Sequence, residues 1–241
     1  MNKLAAIWAL GLAAMMLPAA AQAQSGCTAY DAQAKTINPT LDNAVDLISD
    51  QKVQEGIALL PDLEALLATV PAKFPAPQRC GPDVLVFDDH QFAEFQDAKQ
   101  AGKAVQGYPA TSNFVFRDIP FADLAYITGW LTYEKGDFDK ALTFYQKGLV
   151  IAPNDHNLVN EVLATMIQQS DGPGLVAFSD KFLQTDKDAD AKVRSNVMLS
   201  KAIGQAFQGD SDAALISTDL ALELWPESEN AQDMKAQLTG S

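Results

Sequence analysis

The chain is poor in the residues that most chemistry uses, with two histidines, two cysteines and 17 lysines or arginines among 241 residues. Each shortage closes a class of function. His90 and His156 lie far apart, and Cys27 and Cys80 form no close ligand pair, so no tetrahedral metal set is available. There is no G-x-S-x-G elbow, no H-E-x-x-H helix and no phosphate-binding glycine loop, so neither catalysis nor a cofactor is expected. The few basic residues face 31 acidic ones, a net charge of −14. Such a surface repels nucleic acid. Beyond residue 17 no apolar run approaches the roughly 20 residues of a membrane helix, so an integral membrane protein is not expected.

Three near-motifs fail on their details. His90 and Glu94 stand four apart after Asp88 and Asp89, which reads more simply as capping aspartates before a surface histidine. "DKDAD" (Asp186, Asp188, Asp190) opens like a calcium loop, but Ala191 stands where glycine is needed and Val197 where glutamate is. "GPGLVA" follows a helical pattern rather than a strand, which removes its dinucleotide reading.

What is present begins with an export pattern. Lys3, the apolar run Leu4 to Leu17 and the small-residue site Ala21-Gln22-Ala23 predict a signal peptide over residues 1–23, cut before Gln24. The mature chain is then exported, periplasmic or secreted. Lipidation at Cys27 is disfavoured, because Gln24 stands where an aliphatic residue is expected. In an oxidising compartment Cys27 and Cys80 are expected to bridge.

Residues 24–82 read as a helical segment, with Leu41, Ala44, Val45 and Ile48 on one face, followed by a linker with prolines at 71, 75, 77 and 82. Pro61 suits the first turn of a new helix. Residues 83–121 read as irregular chain with a short helix through Phe92, Phe95 and Ala98, and "DVLVF" as a buried strand or a helix lead-in. From Phe121 onward helical periodicity returns, and residues 229–241 are left as a capping segment.

"GDFDKALTFYQKGLVIAPN" opens with a turn and carries Phe138, Ala141, Leu142, Tyr145 and Leu149 on one helical face. The same punctuation returns at "GDSDAALISTDLALELWPES". Gly136, Ala141, Leu142 and Pro153 each find their like 73 residues later, at Gly209, Ala214, Leu215 and Pro226. The chain is internally repeated.

The unit resembles the tetratricopeptide repeat, a helix–turn–helix of about 34 residues. Gly129 stands for its first small residue, Ala141 for its second, Tyr145 for its aromatic and Pro153 for its closing proline, while Thr132 departs from the family's tyrosine. The units fall at 122–155, 156–194 (degenerate) and 195–228, and residues 38–70 are open to the same reading. The resemblance implies an all-α fold of stacked antiparallel helical hairpins, a TPR-like α-solenoid with a less regular N-terminal region. It also implies an exported interaction module holding a peptide or protein partner in a groove, in envelope assembly, secretion or scaffolding. The groove residues are then Asp123, Tyr126, Trp130, Tyr133 and Glu134, with Tyr126, Trp130 and Tyr133 an aromatic stripe and the acids orienting a basic segment. Two other readings stand beside it. One is a small-ligand binder or enzyme using 83–120 (Asp88, Asp89, His90, Tyr108, Arg117). The other is a self-associating structural subunit.

Overall fold

The computed structural model describes residues 19–72 and 74–240, with side chains throughout except at 19–31, 89 and 90. Most of the expected signal segment therefore lies outside the described residues. In chain order the helices are α1 (Ala19–Ser49), α2 (Val53–Ala58), α3 (Leu60–Thr69), α4 (Asp89–Gln100), α5 (Phe121–Glu134), α6 (Phe138–Ile151), α7 (His156–Gln168), α8 (Gly172–Thr185), α9 (Ala191–Phe207), α10 (Ser211–Leu224) and α11 (Glu229–Thr239). Three strands accompany them: β1 (Gln78–Cys80), β2 (Asp83–Val86) and β3 (Asn113–Phe116). The chain divides into two compact units, residues up to 33 with 76–117, and residues 34–75 with 118–241.

The smaller unit corrects the expectation of irregular chain over 83–121. β1 and β2 pair antiparallel around Gly81, whose φ of +62° suits glycine, and β2 pairs with β3 in parallel. The crossover is α4, started by Asp88 as its side chain accepts the Gln91 N–H. Val84, Val86, Phe95, Val105 and Phe114 form the core of this unit. β3 is four residues long and "NFVF" has no apolar–polar alternation, so it leaves little pattern among Gly102, Gly107 and Pro109.

The larger unit is helical, and one register runs through it. Three-residue turns join α1 to α2, α5 to α6, α7 to α8 and α9 to α10. Links that short make packed helices antiparallel neighbours. Each turn contains one residue at positive φ: Gln51 (61°), Gly136 (88°), Ser170 (54°) and Gly209 (80°). These stand 85, 34 and 39 residues apart.

The same steps carry Ala141, Tyr145 and Gly148 of α6 onto Leu175, Ser179 and Phe182 of α8, then onto Ala214, Thr218 and Ala221 of α10. All nine are buried. Eighty-five residues earlier stand Gly56, Leu60 and Leu63, buried as well. Residues 34–70 are thus a fourth helical pair in the same register, separated from α5 by the smaller unit in the chain.

Packing follows the register except at α7 and α8, which meet less closely than α8 and α9 do. α5 packs on α6, α6 on α7, α8 on α9, α9 on α10 and α10 on α11, and α3 packs on α5. Lys140 pairs with Glu64 at 2.7 Å, and the Lys147 ammonium donates to the Leu67 carbonyl, fastening α3 to α6. Aspartates 137, 155, 171, 190 and 210 cap α6 to α10 by accepting backbone N–H groups. Each such cap is worth about 1 kcal/mol, which gives part of the acidic excess a structural use.

Candidate functional site

α5, α7 and α9 are the first helices of the repeated register, and one face of each follows it. On α5 that face is Asp123, Tyr126, Ile127, Trp130, Tyr133 and Glu134, at steps of three and four, all exposed or half-buried. The register moves these six positions onto Asn157, Asn160, Glu161, Ala164, Ile167 and Gln168 of α7, and each of those is also exposed or half-buried. It moves them next onto Asn196, Leu199, Ser200, Ile203, Ala206 and Phe207 of α9.

Two cavities open on this face. The first, of about 620 Å³, lies among α1, α5 and the start of α7. α1 contributes Asn38, Leu41, Asp42 and Val45, at the register positions of Asp123, Tyr126, Ile127 and Trp130. Asp118, Asp123 and Asp155 complete an acidic wall over Tyr126 and Ile127, and no cationic side chain lines it. The second, of about 630 Å³, lies between α9 and α11, with Ile167 of α7 at its edge. It takes all six register positions of α9, and Asn230, Asp233, Met234 and Gln237 of α11. Phe207, at 47% exposure, is its most exposed large apolar side chain.

Carboxylates on the first half of the face are held under tension. Burial raises the Asp123 carboxyl above the usual range, and Asp118 and Asp155 raise it further. Glu161 accepts from the Tyr126 hydroxyl at 3.3 Å and from the Tyr145 hydroxyl at 3.4 Å. Burial still wins there: the Glu161 carboxyl is raised, with Glu134 adding to it against the two hydrogen bonds. Tyr126 and Tyr145 are pushed up in turn, by burial first and then by Glu161.

The five expected groove residues therefore share one face, and the structure differentiates them. Asp123 and Tyr126 line the first cavity. Tyr133 and Tyr126 rest partly on the core, the Tyr133 ring 5.0 Å from that of Phe138. Trp130 is half-buried and Glu134 exposed. Sequence reasoning missed the α1 and α11 contributions and the whole second cavity, although the 73-residue offset maps Asp123 onto Asn196 and Glu134 onto Phe207.

In the alternative site over 83–120, Tyr108 and Asp88 have structural roles. Tyr108 donates to the Pro77 carbonyl at 2.8 Å and packs on Phe95 and Phe114, and Asp88 is a cap. The side chains of Asp89 and His90 lie outside the described residues. Among the described residues no group of three or more His, Cys, Asp or Glu side chains could hold a metal ion. No helix among them is long and apolar enough to cross a membrane. Cys80 ends β1, and the side chain of its expected partner Cys27 lies outside the described residues.

Compared with known proteins, the chain matches no family model and no curated sequence.

Proposed function

We propose that this chain is a non-enzymatic protein-interaction module, a tetratricopeptide-like stack whose first helices hold a segment of a partner protein. One observation carries the reading: the same register positions of α1, α5 and α9 line two open cavities. A face that lines cavities with one repeated set of positions suits an extended partner crossing several units. Export after cleavage at residue 23, and a Cys27–Cys80 bridge tying the mature N-terminus to β1, complete the proposal. An envelope scaffold or secretion adaptor is the role that fits.

The test is a photo-crosslinking side chain introduced in the exported protein in cells. Placed at Ile127 or Ile203 it should yield partner adducts, and at Ile216, 63% exposed on α10, it should yield none. Adducts from Ile216 alone would remove the reading.

A further inference from the structure

The open face changes character along its length, and the change describes the segment it fits. Its α1–α5 end is an acidic cavity. Asp42, Asp118 and Asp123 wall it, with no cation among the lining residues and no ion pair to any of them among the described residues. These charges are not caps, whereas Asp155 at the same cavity is one. The floor is apolar, from Leu41, Val45 and Ile127, and Val45 is 41% exposed.

At the α9–α11 end three of the six positions carry large apolar side chains and the acids are gone. Tyr126 is replaced by Leu199, Trp130 by Ile203 and Glu134 by Phe207. Asp233 is the single charged residue lining that cavity. Phe207, exposed at that cavity, offers a contact suited to another large apolar side chain.

We propose that the partner segment is bipartite, with Lys or Arg residues in the α1–α5 cavity and large apolar side chains in the α9–α11 cavity. The proposal rests on the interaction-module reading and adds the chemistry and order of what is bound. Charge complementarity selects the occupant, because a second copy of this acidic chain would bring its net charge of −14 against the carboxylates. The spacing follows from the packing. α5 touches α7 and α7 touches α9, so the α1–α5 and α9–α11 cavities are centred about three helix spacings apart, roughly 30 Å at the usual packing distance. An extended chain covers that in about nine residues.

The probe is a random peptide library, about 12 residues long so as to exceed that span, selected on the chain from Gln24 with its folding checked by circular dichroism. Selected peptides should carry Lys or Arg separated by about nine residues from Leu, Ile or Phe. They should lose at least ~10-fold in affinity to an Asp42→Asn/Asp123→Asn variant, and weaken as salt rises. Phe207→Ser should weaken them by a similar factor without salt dependence. Peptides that bind but are neutral or acidic, or that ignore both variants, overturn the bipartite segment and leave the interaction module standing. No selected peptide at all overturns both. Concentration-dependent dimerisation abolished by Phe207→Ser would assign the face to a second copy and likewise overturn the proposal.

Discussion

Tyr145 lies directly on Gly129: a Cβ built on that glycine would stand 2.5 Å from the tyrosine Cε1. α5 and α6 approach this closely because one contributes no side chain where the other contributes its largest fully buried one. At the equivalent positions of the next unit the sizes are exchanged, with Leu163 on α7 and Ser179 on α8, and in the third they are intermediate, Ala202 and Thr218. All of them are buried. The larger side chain passes from one helix to the other between the first two units, and the pair shrinks in the third.

Gly129→Ala should therefore destabilise by about 1–3 kcal/mol through overpacking. Combined with Tyr145→Leu, the pair should cost clearly less than the two single changes added together. Urea melts of the four proteins supply the cycle, and strict additivity would show that the two positions do not share space.

The exchange of sizes explains what the sequence could and could not display. The outer units were legible because Gly136 and Gly209, and Ala141 and Ala214, keep their identities. The middle unit looked degenerate because Ser170 takes the turn position and Ser179 the aromatic one, so the register survives only as burial and backbone conformation. The first pair was obscured further by the inserted smaller unit, which lengthens the step to Gly136 to 85 residues. Of the site, the α5 stripe was visible by periodicity, whereas the α1 wall and the α11 edge needed tertiary packing to join it.

The turn positions make a second prediction. Gln51 and Ser170 hold left-handed backbone that costs an ordinary residue about 1 kcal/mol, while Gly136 and Gly209 hold it freely. Ser170→Gly should stabilise by up to ~1 kcal/mol, and Gly136→Ala should destabilise by a similar amount. Thermal melts check both, and opposite signs would contradict the shared turn.

Gly204 and Gly172 bring α9 against α8 without any side chain to give way. A Cβ on Gly204 would stand 2.8 Å from the Gly172 carbonyl oxygen and 2.7 Å from the Leu175 Cβ. Gly204→Ala should cost about 2–3 kcal/mol, at the upper end for overpacking, because the obstruction is backbone. A loss under ~1 kcal/mol, the ordinary tolerance of a well-placed core swap, would show that the crossing can spread.

Glu161 predicts the sign of a pH dependence. Its folded carboxyl titrates above the unfolded value of about 4.5, so between the two the folded chain holds more protons. Stability then falls as pH rises through that window. Relative to Glu161→Gln, the wild type should lose stability as pH climbs from the ordinary carboxyl range, then level off. The offset at low pH reports the tyrosine hydrogen bonds, and the slope reports the buried charge. A wild type that gains on the variant with rising pH would mean that the two hydroxyls outweigh desolvation.

The claim that the open first-helix face is the binding surface is tested most directly by Trp130→Ala, measured twice on the same preparation. Denaturant unfolding should show a loss of no more than ~1 kcal/mol, since the ring is half-buried on an open face. Crosslinking through Ile127 and Ile203 should fall with it by at least ~10-fold, the scale of a hot-spot aromatic. A loss of about 3–5 kcal/mol, as for a core tryptophan, with partner adducts unchanged in the protein that remains folded, would contradict the account.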